Sequence, residues 1–77
     1  MGSNQEPLEF IQYHKDGSVW AKGQLVGDTP YGYWEWFRKY GTLMRSGTFR
    51  DGIQVGEWTT FNPDGTVKRT VTHGARR

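Results

Sequence analysis

The sequence predicts an all-β fold: a single open antiparallel β-meander of about six strands built from 24-residue hairpin repeats. Three observations point to it. Gly17, Gly41 and Gly65 recur 24 residues apart, 41 − 17 = 65 − 41 = 24. The columns Tyr13/Phe37/Phe61, Phe10/Trp34/Trp58 and Val19/Leu43/Val67 keep the same spacing, as do the pairs Gly32/Gly56 and Gly23/Gly47. Each copy also carries turn chemistry between two short apolar segments, most clearly Asn62-Pro63-Asp64-Gly65, where proline presets one turn position and glycine can take positive φ. Such periodicity marks a repeat architecture, in which the outer copies are atypical because one side has no neighbour. Leu8 accordingly stands where later copies have Gly32 and Gly56, and Val71 where earlier ones have Gly23 and Gly47.

The elements follow in order. Strands are expected near 9–14, 18–25, 33–38, 42–49, 57–61 and 66–72, with no helix, since no segment shows a capped 3.6-residue apolar period. Lys15-Asp16-Gly17 and Lys39-Tyr40-Gly41 take the place of the Pro-Asp-Gly turn, so all three hairpins should close on three residues. That loop sets Tyr13 opposite Val19, Phe37 opposite Leu43 and Phe61 opposite Val67, an aromatic beside an aliphatic at every turn. Continued without interruption, it sets Glu35 opposite Arg45, Tyr33 over Gly47, Trp36 opposite Met44, Gln12 opposite Trp20 and Trp34 opposite Ser46. Looser connections are expected from Val26 to Gly32 and from Arg50 to Gly56. Residues 1–8 read as a disordered tail or tag remnant, 9–74 as the repeat domain of about 2.5 to 3 repeats, and 75–77 as a basic tail.

Composition narrows the class. In 77 residues, apolar side chains make up 34% and aromatic ones 16%, a balance suited to a thin sheet covered by flat rings rather than a layered aliphatic core. No cysteine is present, which removes disulfides and thiolate metal sites and favours a cytoplasmic location. No apolar run is long enough to span a bilayer. The formal net charge of +2 is too small to argue for nucleic acid by itself.

The segments Gly32-Tyr33-Trp34-Glu35-Trp36-Phe37 and Gly56-Glu57-Trp58-Thr59-Thr60-Phe61, each followed by x-x-x-Gly-x-Leu or Val, share a Gly-x-Trp-x-x-Phe pattern that resembles MORN repeats. The likeness is greatest to the bacterial variant form, whose members are commonly labelled antitoxins of toxin-antitoxin pairs, and it covers about residues 9–74. The resemblance implies an elongated sheet of hairpins that binds proteins or, in eukaryotic relatives, membrane phospholipid. It implies no catalytic residues.

The side chains themselves argue against chemistry. His14 and His73 lie far apart with no ligand spacing, and Asp16, Asp28, Asp51 and Asp64 all sit beside turn glycines, where aspartate serves backbone hydrogen bonding. No catalytic residue, metal or cofactor is expected. Departures from the repeat are more telling. Trp20 aligns with Met44 and Lys68, and Trp36 aligns with Gln12 and Thr60, so Trp20, Trp36 and Met44 are large apolar groups that the repeat does not demand. Simple alternation puts them on one face as anchors for a protein partner, with Arg38 and Arg45 as a polar rim. Trp36→Ala is then expected to weaken that partner's binding while leaving the fold intact. The open sheet edges or the aromatic face could also form a homodimer. Anionic lipid or nucleic acid is the alternative partner, suggested by Arg38, Lys39, Arg45, Arg50 and the C-terminal basic residues but opposed by the expected Glu35–Arg45 pairing and the small net charge.

Overall fold

Two kinds of turn alternate along the chain and fold it into one sheet, which a computed structural model describes for residues 6–74. The strands are β1 (Leu8–Tyr13), β2 (Val19–Val26), β3 (Thr29–Phe37), β4 (Leu43–Arg50), β5 (Ile53–Phe61) and β6 (Val67–His73). They pair antiparallel in the order β1-β2-β3-β4-β5-β6, the meander that the repeat predicts, with β1 and β6 at the open edges. The expected tail at 75–77, and residues 1–5 of the one at 1–8, lie outside the described residues.

The first kind of turn closes each hairpin on three residues, as expected. The carbonyls of His14, Arg38 and Asn62 accept from the amides of Gly17, Gly41 and Gly65. Their own amides donate to Ser18, Thr42 and Thr66. The turn glycines have φ of 94°, 89° and 92°, a left-handed conformation that a side chain disfavours. The second kind is tighter than expected. Val26 faces Thr29 and Arg50 faces Ile53 across the two-residue turns Gly27-Asp28 and Asp51-Gly52, so β3 and β5 begin well before Gly32 and Gly56. Asp51 and Gly52 both have positive φ, 55° and 80°, which matches the strand twist in a two-residue hairpin.

The register is as expected beside each turn and one residue off beyond it. Tyr13 faces Val19, Phe37 faces Leu43 and Phe61 faces Val67. The next pairs are Gln12 with Ala21, Trp36 with Arg45, and Thr60 with Arg69. Trp20, Met44 and Lys68 are therefore the unpaired residues of a β-bulge repeated in every copy. This overturns the expected pairs Gln12–Trp20, Trp36–Met44, Trp34–Ser46, Glu35–Arg45 and Tyr33–Gly47. A one-residue shift also exchanges faces, because side chains alternate along a strand. It carries Ala21 and Gly23, Arg45 and Gly47, and Arg69 and Val71 to the side occupied by Trp34, Trp36 and Trp58.

The Gly-x-Trp pattern has a physical cause in a second irregularity. Between the pairs Lys22–Glu35 and Gln24–Tyr31, the single residue Gly23 lies against residues 32–34, and Gly47 lies likewise against residues 56–58. Gly32 and Gly56, with φ of 74° and 71°, let the strand bow out there. Two residues on, Trp34 and Trp58 fold back over Gly23 and Gly47, where a Cβ would fall inside the indole. Each indole Nε1–H donates to a carbonyl, Trp34 to Gln24 at 3.1 Å and Trp58 to Thr48 at 3.2 Å. A ring does cover the bare backbone of Gly47, but it belongs to the following strand and not to Tyr33.

The described residues form one layer, 47 × 35 × 12 Å. Its radius of gyration, 13.9 Å, exceeds the roughly 11–12 Å of a spherical domain this long. The core is correspondingly thin. Among the described residues only Ala21, Trp34 and Trp58 are buried apolar side chains, joined by Ser46.

Candidate functional site

Face assignment follows from the register. One face carries a continuous chain of rings from β1 to β6. Phe10 meets Trp34 at 6.0 Å, Trp34 stacks on Trp36 at 5.8 Å, Trp36 meets Trp58 at 5.4 Å, and Trp58 meets His73 edge-on at 6.2 Å. Phe49 sits edge-on to both Trp34 and Trp58, at 6.0 and 5.0 Å. His73 occupies the column of Phe49, 73 − 49 = 24, and makes the same edge-on contact with its own tryptophan.

Along this ring face one row of side chains crosses the whole sheet: Gln12, Ala21, Trp36, Arg45, Thr60 and Arg69, each paired with the next. Arg45 lies at its centre. Its guanidinium carbon sits 5.0 Å from the Trp36 ring and 6.0 Å from Trp58, while the residue as a whole stays exposed. Rings attract a cation through their negative faces and hold the planar fork in place. Glu35 pairs with Ser46 and points to the opposite side, so the expected ion pair is replaced by a cation held on tryptophan.

Charge is sorted between the faces. The three strand glutamates, Glu9, Glu35 and Glu57, face Gln24, Ser46 and Thr72 on the polar side, together with Lys22. The ring side carries Arg45, Arg69 and His73 and, among the described strand residues, no carboxylate. Between β4 and β6, Arg45, Arg69 and His73 border a shallow hollow with Trp58, Thr60 and Val71.

The five residues singled out from sequence are placed differently from one another. Trp36 stands at the middle of the ring chain, touching Trp34, Phe49 and Trp58, so it is part of the thin core as well as of the face. Its truncation therefore costs stability, and Trp36→Ala cannot isolate a binding role. Met44 borders a hollow with Arg45 and Thr60, two members of the row that crosses the sheet. Trp20 is 39% exposed and its ring neighbour is His14, at 6.4 Å, outside the main chain of rings. Arg38 is engaged elsewhere. Its Nη2–H donates to the Phe61 carbonyl at 3.1 Å, while its Nη1 is buried with no hydrogen-bond partner. His14 makes the equivalent bond one copy earlier, Nε2 to the Phe37 carbonyl at 3.0 Å, so these two side chains tie the turn of one copy to the strand end of the next. In the sequence Arg69 stands out only as one of the C-terminal basic residues, and Thr60 and His73 carry no site role. The signal was present, because Arg45 and Arg69 are themselves 24 apart.

The histidines and carboxylates do not converge. Among the described residues no group of three or more His, Cys, Asp or Glu could hold a metal ion. Asp16 and Asp64 are held below the usual aspartate range by hydrogen bonds within their turns, first from the Ser18 amide and the Thr66 hydroxyl respectively. Both are fully exposed turn residues with a structural task. Among the described residues no helix is long and apolar enough to cross a membrane. Comparison with protein-family models, with curated proteins and with solved structures finds no match to this chain.

Proposed function

We propose that this chain is a non-catalytic protein-interaction module, acting in the cytosol, that binds its partner through the ring face around Arg45. The observation that carries the reading is the placement of Arg45: an exposed residue whose guanidinium lies over Trp36 and Trp58, beside Met44, on a face without strand carboxylates among the described residues. Arginine and tryptophan lead the residue types that dominate binding energy at interfaces, and a fixed fork loses less freedom on binding than a mobile one. A single sheet also leaves both broad surfaces available, where most domains cover one with a second layer. The further reading as a MORN-like module of the bacterial variant type, neutralising a toxin as its antitoxin, is supported by the Gly-x-Trp-x-x-Phe pattern alone.

A photo-crosslinking residue placed at Gln12 or Thr60 on the ring face, or at Thr59 or Thr72 on the polar face, tests the proposal in the source cell. A discrete adduct with one protein from the ring-face positions, absent from the polar-face ones, is expected. With that partner in hand, Arg45→Gln should weaken binding by about 1–2 kcal/mol while the melting temperature changes little. Adducts from the polar face alone, or unchanged affinity of the Arg45 variant, would sink the reading.

A further inference from the structure

Resting on that reading, we infer that the ring face recognises a carboxylate side chain on an extended acidic segment of its partner, held between Arg45 and Arg69 over Thr60. Three features of the hollow converge on this chemistry. Arg45 pairs across β4 and β5 with Thr60, and Thr60 pairs across β5 and β6 with Arg69, so the two arginines flank one hydroxyl in a single row. Strand spacing puts their Cα atoms roughly 10 Å apart, close enough for both forks to converge on one group above Thr60. Among the described strand residues no carboxylate competes, because Glu9, Glu35 and Glu57 project from the other face.

The kind of anion follows from what is already covered. Bases of a single-stranded nucleic acid would need open ring faces. Trp34 and Trp58 are only 5% exposed, and Arg45 lies over the half-buried Trp36, so the central tryptophans offer little open face to stack on. The cations also form a pair in one hollow and not a track along the sheet, which suits one charged group better than a polyanion. A planar carboxylate matches the arginine fork in two parallel hydrogen bonds. Apolar surface lies one step further along the strand. Val71 is two residues beyond Arg69 on the same side of β6, 40% exposed, and faces Trp58. An extended segment reading acidic–any–apolar would thus place its carboxylate between the arginines and its apolar side chain over Val71, since side chains two apart share a face.

The test uses two capped peptides, Thr-Glu-Thr-Val-Thr and its Gln-for-Glu counterpart, titrated into the isotope-labelled full chain by NMR. The acidic peptide should give saturable shifts of the Arg45 and Arg69 side-chain Nε–H signals and of the Trp58 indole Nε1–H, weakened by added salt. Arg69→Gln and Arg45→Gln should each lower its affinity by about tenfold. Glu35→Gln, on the opposite face, should leave it unchanged. Backbone spectra of each variant show whether the sheet is intact, and Arg69, exposed on an edge strand, is the substitution that leaves the ring chain untouched. An equal response to the Gln peptide would overturn the carboxylate assignment while leaving the ring face as the binding surface. Shifts confined to the polar face would overturn both. Tighter, ring-face binding of a thymidine oligonucleotide would replace the acidic segment with nucleic acid. Concentration-dependent association of the free chain through Arg45 and Arg69, seen by light scattering, would replace it with the glutamate-bearing face of a second copy.

Discussion

Single glycines in this sheet serve two distinct needs, and substitution separates them. Gly47 has no room for a side chain, since a methyl there would fall within the Trp58 indole. Gly41 has open space but a φ of 89°. Gly47→Ala must displace Trp58, breaking its hydrogen bond to the Thr48 carbonyl and its contacts with Trp36 and Phe49. A loss of about 3 kcal/mol or more is expected, measured by urea unfolding. Gly41→Ala should cost about 1–2 kcal/mol, the left-handed penalty alone. The double variant Gly47→Ala/Trp58→Leu should lose less than the sum of its parts, because the smaller side chain no longer occupies the space of the new methyl. Additive losses would show that Gly47 is conserved in the repeat for its backbone and not for the ring above it. The same scale explains why Arg45 lacks the cross-strand neighbour that the sequence suggests. Its expected partner Glu35 was sensible by charge, yet one unpaired residue, Met44, turns the two side chains to opposite faces.

The hairpin was the element most legible in the sequence, and its turns are where charge contributes to it. Asp64 accepts from the Thr66 hydroxyl at 2.6 Å and amide at 2.9 Å, and Asp16 does the same with Ser18 at 2.7 and 3.0 Å. These bonds favour the ionised carboxyl and lower its proton affinity in the fold. By linkage, a carboxylate with a depressed folded value adds stability above its unfolded value and loses it as pH falls through the folded one. Asp64→Asn should therefore be less stable than the parent at neutral pH, and the two melting curves should converge as pH drops below the usual aspartate range. A gap that persists in acid would mean that the charge is not what the turn uses. In the central hairpin Tyr40 occupies the aspartate column, 40 − 16 = 64 − 40 = 24, and is almost fully exposed. Tyr40→Asp supplies the missing acceptor for Thr42 and should raise the melting temperature by roughly 2–4 °C. These turns could be read because proline, aspartate and glycine have local conformational preferences that the rest of the chain does not override. The bulges could not. Trp20, Met44 and Lys68 share no chemistry that marks an unpaired residue, so the three-residue loop was correct and the strands beyond it slipped by one. The face of every β2, β4 and β6 side chain past the bulge, and with it the charge sorting of the candidate site, followed from that unmarked residue.

At the scale of the molecule, two kinds of connection compete to set how cooperatively the sheet opens. Backbone pairing links each strand only to its neighbours, as in a linear array whose stability is a sum of local and nearest-neighbour contributions. The ring chain, by contrast, runs without a break from Phe10 on β1 to His73 on β6 and passes through Trp36 at its centre. Removing a ring at the end should therefore act locally, and removing one in the middle should act everywhere. Native-state amide exchange reads the difference. Phe10→Ala should release the amides of β1 and of the β2 positions paired with it, leaving protection in β4 and β5 close to that of the parent. Trp36→Ala should lower protection throughout β2 to β5, by about 2–4 kcal/mol where exchange needs global opening, because Trp34, Phe49 and Trp58 each lose a packed neighbour. β6, whose side chains are nearly all exposed, should be the least protected long strand in every variant. If Phe10→Ala instead reduced protection equally in β1 and β5, the array would open as one unit and the ring chain, not backbone pairing, would set its cooperativity. The binding proposal depends on which holds, because Arg69 sits on β6. Where that strand opens alone, a partner that bridges Arg45 and Arg69 would select the closed edge and raise the exchange protection of β6 above its free value.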